Sequence, residues 1–275
     1  MTLIMIWREG PADRLWVVAD SRLTGSGPYG QPKPLTDRAA KVLEAHVCLQ
    51  GPNPKSPLLT MRTVGFAYAG SSLIALQAYV AVLPLWARLW SPGDETLPTM
   101  KDCAEHLGFF LRSYGQEVLE CGSGIATECA LLGYDDAAGR VEAWRVRVSQ
   151  VGDTADLKVA QLELGDGQLE LIGSGAHDAK QNLEKINPTG RPWRREPLDM
   201  IRHQLREDTP GTVGGGVQVG VAVAEGFQLY SDARPFRAGV SRAGDPLLMT
   251  RYRGFDSEKI HKVGHAIAKL PGIKG

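Results

Sequence analysis

The first residue with chemical potential in this chain is Thr2, because it directly follows Met1. Removal of Met1 would leave a threonine that carries both a hydroxyl group and a free α-amine. An α-amine has a pKa of about 7.7 to 8.0, so it is partly neutral at cellular pH and can serve as a base for the hydroxyl. Thr2 would then be a nucleophile with its own base. The alternative is that threonine is simply a permissive second residue.

The elements that must position Thr2 are two apolar runs, Met1–Trp7 and Leu15–Arg22. Both are rich in β-branched and aromatic residues, and they flank the polar segment Arg8–Arg14, which contains a Gly-Pro breaker. This pattern predicts two adjacent strands joined by a turn. The Gly-, Pro- and Ser-rich segment Leu23–Pro34 predicts a long surface loop after them.

The next part of the chain predicts strands and then two helices. Short strands are predicted at Ala39–Leu43, His46–Leu49 and Val64–Gly70. Ser71–Ser72 and Thr99 are helix-capping signals, the latter with Asp102 three residues on. The predicted buried faces are Leu73, Leu76, Val80 and Leu83 in the first helix, and Cys103, Leu107, Phe110, Leu111 and Tyr114 in the second.

A second group of elements completes the chain. Hairpins are predicted from Ala126–Leu132 to Val141–Val148 and from Leu157–Leu164 to Gln168–Ile172, helices from Gly173–Ser174–Gly175 to Lys185 and over Glu196–Arg206, and strands at Val217–Ala224 and Gly226–Tyr230. A carboxy-terminal helix from Asp256–Ser257 would bury Ile260, Val263, Ile267 and Leu270.

This order groups the strands and the helices, whereas a parallel doubly wound sheet would alternate them. The pattern therefore favours an α+β fold in which two antiparallel sheets face each other and helix pairs cover their outer faces. That arrangement is a four-layer αββα sandwich. We expect one domain over residues 1–275, since no repeat or change of composition marks a linker.

The composition argues against several classes of function. Lys+Arg (31) and Asp+Glu (31) balance, so the chain lacks the basic character of a nucleic-acid binder. Its four cysteines form no C-x-x-C pair and its six histidines form no metal motif, so we expect reduced thiols and no metal or other cofactor.

Neither apolar stretch of the chain suits a membrane or a secretion signal. Leu3–Trp7 is too short for a signal sequence, and Leu73–Trp90 is interrupted by Pro84 and Arg88. We therefore expect a cytoplasmic protein without a membrane partner.

A series of short motifs runs in order from Thr2 to about Tyr230. After Thr2 the motifs are Val18–Ala19–Asp20–Ser21–Arg22, Ala40–Lys41–Val42, Phe66–Ala67–Tyr68–Ala69–Gly70, Gly133–Tyr134–Asp135, Gly173–Ser174–Gly175, and Asp208 followed by Gly214–Gly215. In this order they resemble the motifs of the N-terminal nucleophile (Ntn) hydrolases, specifically the β-subunits of the proteasome and their bacterial relatives of the Anbu type. The resemblance leaves a tail from about residue 231 uncovered.

The resemblance implies a threonine peptidase. Thr2 Oγ would attack a peptide carbonyl while its own α-amine accepts the proton. Lys41, paired with Asp20, would place a positive charge that lowers the pKa of this amine, and Arg22 would support the same charge network. The alternatives are a solvated Lys41 at a strand start and a surface pair of Asp20 with Arg22.

The remaining site residues are also implied by the resemblance. The backbone N–H of Gly70 would stabilise the oxyanion, unless this glycine only makes a turn. Ser174 and Asp208 would orient and tune the α-amine. Val213 stands where the family has a serine before the Gly-Gly pair, and Thr212 is the candidate substitute.

The resemblance further implies self-association into a ring or a helical stack that cuts peptides or unfolded proteins. The sequence does not identify an unfoldase partner. Two alternatives stay open: a proteasome-like scaffold subunit without activity, and an amidase of the same superfamily that acts on a small amide.

Overall fold

A computed structural model describes residues 2–10, 13–26, 31–51, 58–91, 95–165, 167–206, 213–240, 246–252, 255–256, 262–263, 266–267 and 271–274. These residues form an α+β fold with four helices and several sheets, as the sequence predicted. The helices are α1 Ser72–Trp86, α2 Met100–Glu120, α3 Ala176–Ile186 and α4 Glu196–Arg206.

The strands in chain order are β1 Ile4–Glu9, β2 Arg14–Asp20, β3 Leu23–Ser26, β4 Pro32–Thr36, β5 Val42–Gln50, β6 Leu58–Gly70, β7 Leu89–Trp90, β8 Thr127–Asp135, β9 Arg140–Val151, β10 Thr154–Gln161, β11 Leu169–Ile172, β12 Val217–Val223, β13 Gly226–Val240, β14 Pro246–Tyr252, β15 Phe255–Asp256, β16 Lys262–Val263, β17 Ala266–Ile267 and β18 Gly272–Lys274.

Two large sheets hold most of these strands. The first sheet has the order β11-β1-β2-β12-β13-β14-β15, with β18 parallel to β13. The second sheet has the order β10-β9-β8-β6-β5-β7. The predicted hairpin at the start of the chain is confirmed, with Ile4 opposite Ala19 in the pairing of β1 with β2. β1 lies between β11 and β2, and its apolar residues are buried on both faces, since Ile4 and Ile6 pack with the second sheet and Met5 and Trp7 pack with α3 and α4.

Three clusters of buried residues make up the core. One contains alternate residues of both large sheets, among them Ile4, Ile6 and Val17 of the first and Ala67 and Ala130 of the second. A second cluster packs α1 and α2 against the second sheet, and a third packs α3 and α4 against the first. Each sheet thus packs against the other and against a pair of helices.

The helix caps agree with the sequence. Ser71 Oγ accepts a hydrogen bond from the Ile74 N–H at 3.5 Å at the start of α1. Thr99 and Asp102 form the predicted capping box of α2, with Thr99 N–H donating to Asp102 at 2.9 Å and Asp102 N–H donating to Thr99 Oγ1 at 3.1 Å.

The predicted buried face of α1 is wrong. Leu73 and Val80 are 58% and 57% exposed, and Leu76 and Leu83 are only partly buried. The residues buried instead are Ile74, Ala75, Ala78, Val82 and Trp86. This helix contains no charged residue, so its sequence has no polar face that would have identified the buried side.

Several strand predictions are corrected by long-range pairing. The expected loop Leu23–Pro34 includes β3 and part of β4, which pair with each other, and the two short strands over Ala39–Leu49 are the single strand β5. The hairpin of Leu157–Leu164 with Gln168–Ile172 does not form. Instead, β10 pairs with β9 in the second sheet and β11 pairs with β1 in the first, so the chain crosses between the sheets at this point.

The predicted carboxy-terminal helix is also wrong where the structure describes it. Val263 and Ile267 lie in β16 and β17, which pair with each other as strands. Ile260 and Leu270 lie outside the described residues. An apolar spacing of four residues fits a helix, but here the backbone hydrogen bonds are made between strands.

Candidate active site

The Asp20 carboxylate is the centre of the hydrogen-bond network behind Thr2. Its Oδ1 accepts from the Leu3 N–H at 3.0 Å and from Lys41 Nζ at 2.8 Å. Its Oδ2 accepts from the Arg22 N–H at 3.1 Å and from the Gly214 N–H at 3.2 Å. Asp20 is fully buried, and these four donors replace the water that a buried carboxylate loses. The bond to Leu3 ties this charge to the residue next to Thr2.

Lys41 is buried together with Asp20, with 1% of its side chain exposed. Burial lowers the pKa of Lys41 below its ordinary value of 10.5, and the neighbouring Asp20 carboxylate acts in the opposite direction. Lys41 is therefore not a solvated lysine at a strand start, and the buried Asp20 does not form a surface pair with Arg22.

Gln218 fixes this ion pair in place, and the sequence analysis missed it. Its Oε1 accepts from the Lys41 N–H at 2.9 Å and from the Val42 N–H at 3.3 Å. Its Nε2 donates to the backbone oxygens of Asp20 at 3.2 Å and Ala39 at 3.0 Å. The available signal was a single amide side chain in the otherwise apolar strand β12.

The Arg22 guanidinium has a different partner from the one predicted. Its Nε lies 2.6 Å from Asp37 Oδ1 and its Nη2 lies 3.2 Å from Asp37 Oδ2, so only the backbone N–H of Arg22 reaches Asp20. The hydrogen bond from Arg22 lowers the pKa of Asp37. Asp37 is about half exposed, so this pair contributes well under about 1 kcal/mol of stability.

The Gly214–Gly215 pair docks against the end of β2. Ser21 N–H donates to the Gly214 oxygen at 3.1 Å, and Gly216 N–H donates to Ser21 Oγ at 2.6 Å. A Cβ on Gly214 would lie 2.2 Å from Arg22 Cζ. The Arg22 side chain can move away from such a Cβ, but Gly215 has a φ of +81° and a Cβ there would lie 2.4 Å from the backbone oxygen of Asp37, so glycine is required at the second position of the pair.

Thr2 lies at the end of the first sheet and is 9% exposed. Thr2 precedes Ile4 and Ile6 at steps of two residues, and residues at this spacing along an extended chain lie on the same face. Ile4 and Ile6 face the second sheet. Its backbone oxygen accepts from the Gly175 N–H at 3.1 Å. The Gly173–Ser174–Gly175 motif is therefore in direct contact with Thr2.

A cavity of about 320 Å³ adjoins Thr2. It is lined by Thr2, Leu23, Thr24, Ala69, Gly70, Ala126, Thr127, Glu128, Arg147, Gly173 and Ser174. Three of the predicted site residues, Thr2, Gly70 and Ser174, thus line the same cavity. Asp20 and Lys41 do not line it and belong to the buried hydrogen-bond network next to Thr2. Asp208 and Thr212 lie outside the described residues. A threonine that lines such a cavity, with a buried ion pair near it, suits attack on a bound carbonyl.

We expect that no other residue can replace Gly173 without displacing the backbone of Thr2. Its φ is +96°, and a Cβ there would lie 2.2 Å from the Thr2 oxygen. We expect Gly173→Ala to destabilise the fold by at least about 3 kcal/mol, since a strained φ and a steric overlap both contribute. The matched control is Gly122→Ala, where φ is +75° but nothing lies within 4 Å of the added Cβ. Urea unfolding of both variants measures the difference, and equal losses would show that the contact with Thr2 costs nothing.

Within the described ranges, no group of three or more His, Cys, Asp and Glu side chains is arranged to hold a metal ion. None of the helices in this part of the chain is long and apolar enough to cross a membrane.

Comparison with known proteins gives a match of fold. No family model matches the sequence, and no curated protein matches it. Among solved structures, Anbu (ancestral beta-subunit) from Yersinia bercovieri is 12% identical over 83% of this chain and 87% of its own, with a TM-score of 0.50. The structure described as the helical assembly of the Anbu complex from Pseudomonas aeruginosa is 14% identical over 84% and 86%, with a TM-score of 0.50.

A third structure, the Anbu (Gly-1) mutant from Hyphomicrobium sp. strain MC1, is 16% identical over 83% of this chain and 85% of its own, with a TM-score of 0.52. The resemblance inferred from the motifs is thus confirmed at the level of the fold, which is similar to that of the Anbu structures. At these identities the likeness shows the fold alone.

Proposed function

We propose that this chain is a proteasome-like threonine peptidase subunit in which Thr2, as the amino-terminal residue, is the nucleophile. The observation that carries the proposal is the buried Lys41–Asp20 pair, tied to Thr2 through the hydrogen bond from Leu3 N–H to Asp20. Burying two charges costs several kcal/mol per ion before their attraction is counted, so a pair in this place is expensive for a purely structural role. This cost disfavours the scaffold alternative.

In the proposed reaction, the α-amine of Thr2 takes the proton of its own hydroxyl as Oγ bonds to the carbonyl carbon. The Lys41 charge disfavours the protonated form of the amine and so keeps it available as a base. Collapse of the tetrahedral intermediate expels the amine product, which leaves with the proton, and water then hydrolyses the ester on Thr2. Gly70 is the proposed donor to the oxyanion, and Ser174 and Asp208 are proposed to orient the amine, with Thr212 in a supporting place.

The proposal extends to the architecture. The three clusters of buried residues support a four-layer αββα sandwich in which each helix pair covers one sheet. We also propose that the chain forms one domain, since β13 continues without a break past residue 231, where the motif resemblance ends.

Self-association is part of the same proposal. The Pseudomonas aeruginosa structure is described as a helical assembly, and its fold matches 84% of this chain. A ring or a helical stack of identical chains would enclose the Thr2 sites, so that substrates reach them only as peptides or unfolded segments. A small-amide substrate would need the same chemistry at Thr2, so substrate length separates the peptidase from the amidase.

The state of the amino end tests the function most directly. Threonine is small enough at the second position for routine methionine removal, so intact mass measurement of the purified protein should show the loss of Met1. The control is Thr2→Leu, whose larger side chain should leave Met1 in place. Wild-type protein that keeps Met1 would contradict the proposal, because the α-amine would then belong to another residue.

A further inference from the structure

The residues between the two large sheets change from apolar to charged towards the end of the sheets at which Thr2 lies. On β8, Leu132, Ala130 and Glu128 alternate onto the same face, and the first two are buried between the sheets. On β9 the corresponding run is Val141, Ala143, Arg145 and Arg147, of which the first two are buried. In both strands the buried apolar positions are thus followed, towards Thr2, by charged positions. Glu128 and Arg147 line the same cavity as Thr2.

The two charges that line this cavity are not equivalent. Glu128 Oε1 lies 2.8 Å from Arg145 Nε, so its carboxylate already has a cationic partner. Arg145 also donates from Nη2 to Glu170 at 2.9 Å. Arg147 is exposed, and although Glu128 lies directly opposite it in the pairing of β8 with β9, no ion pair joins Arg147 to a carboxylate within the part of the chain that the structure describes.

A second cation adjoins Arg147. Lys158 on β10 lies directly opposite it in the pairing of β9 with β10. Like charges in opposite positions of a sheet destabilise each other, so an anion bound at Arg147 relieves an existing repulsion.

From these contacts we propose that the cavity is a substrate subsite for a carboxylate, held by Arg147. This inference rests on the proposed function and adds the class of substrate: chains with an acidic residue next to the bond that Thr2 attacks. The Arg147 guanidinium presents two parallel N–H donors, which match the two oxygens of a carboxylate. Glu128 lines the same cavity, and its charge would repel an acidic group that did not pair with Arg147.

The test is binding of short peptides to the full-length Thr2→Ala protein, which lacks the proposed nucleophile and is checked for folding by circular dichroism. Three probes are compared by calorimetry: a glutamyl peptide amide, the same peptide with glutamine, and the glutamine peptide with a free carboxy terminus. The difference in affinity between the glutamyl and glutamine peptide amides measures the effect of a side-chain carboxylate. The difference between the two glutamine peptides measures the effect of a terminal carboxylate. Each probe is measured with Arg147 intact, with Arg147→Gln, and with the control Lys158→Gln.

We expect a carboxylate to improve binding at least tenfold, and Arg147→Gln to reduce this preference to less than twofold. Lys158→Gln removes a neighbouring positive charge of the same sheet but should keep most of the preference, because Lys158 does not line the cavity. The preference should also weaken as salt is added, since the subsite is open to solvent. Equal binding of all three probes, or a preference that survives Arg147→Gln, would overturn the proposal.

The experiment distinguishes a failure of the carboxylate subsite from a failure of the proposed peptidase function. Competition by the same three peptides against covalent labelling of Thr2 in the wild-type chain gives a second measure of the preference for a carboxylate. If Thr2 is unreactive but the calorimetric preference depends on Arg147, the nucleophile is wrong and the subsite stands. If Thr2 is labelled and the preference is absent, the peptidase stands and the subsite is wrong.

Discussion

Thr2→Ala should abolish covalent labelling of the protein by an electrophile that reacts with both a hydroxyl and a neighbouring amine. Removal of a nucleophile costs at least about a thousandfold in rate in enzymes of this type of chemistry, so residual labelling should be undetectable. Thr2→Ser should keep part of the labelling, because serine retains the hydroxyl and, after methionine removal, the α-amine.

The same substitution should leave the fold intact. The contacts that hold Thr2 in place use its backbone, through the hydrogen bond from Gly175 N–H to the Thr2 oxygen, and Thr2→Ala keeps that bond. We expect a change of less than about 1 kcal/mol in the free energy of unfolding. Thr154→Ala is the matched control, since Thr154 is exposed and does not line the cavity. Labelling or peptide cleavage that persists in folded Thr2→Ala protein would place the activity elsewhere and revive the scaffold alternative.

Local sequence patterns predicted the parts of the fold that local forces decide. The hairpin at the amino end follows from two apolar runs around a breaker, and the cap of α2 follows from Thr99 and Asp102 three residues apart. The burial of Lys41 with Asp20 agreed with the motif resemblance, since a lysine at a strand start requires a nearby carboxylate once it is buried. The glycine of the Gly173–Ser174–Gly175 motif is required by a steric contact, since a Cβ on Gly173 would lie 2.2 Å from the Thr2 oxygen.

The parts that were missed depend on contacts between distant positions. Gln218 is 177 residues from Lys41, and no periodicity in the sequence shows that β12 lies beside β2. The crossing from β10 to β11 looked like a hairpin because a Gly-rich turn separates two apolar runs, and only the pairing with β9 and β1 decides otherwise. Arg147 lies in the predicted strand Val141–Val148, and its place at the cavity is visible only when the two sheets are together.

Lys41→Ala should both destabilise the protein and abolish labelling of Thr2. Two losses add: the buried Asp20 carboxylate keeps its backbone donors but loses its cation, and the apolar stem of the lysine leaves a void. Breaking one side of a buried ion pair costs about 3 to 5 kcal/mol. Burial already lowers the pKa of Lys41, so the ammonium is itself costly to bury, and the expected loss lies at the lower end of that range.

Lys41→Met separates the charge from the packing, and it is the more informative variant. Methionine fills most of the space of the lysine stem, so we expect this variant to be more stable than Lys41→Ala in urea unfolding. Labelling of Thr2 should nevertheless fall at least about a hundredfold, the usual cost of losing one preorganised charge or donor at a reacting centre. Lys158→Met is the control, because it removes an exposed lysine outside the cavity.

The pH dependence of the residual labelling identifies the role of Lys41. A positive neighbour disfavours the protonated amine, so in the wild-type chain labelling should rise with pH through a midpoint below the usual amine pKa of about 7.7. Without the Lys41 charge the pKa of the amine increases, and the midpoint should move to higher pH. A purely structural lysine would reduce the rate at all pH values and leave the midpoint in place, so an unshifted profile in folded Lys41→Met protein would contradict the electrostatic role.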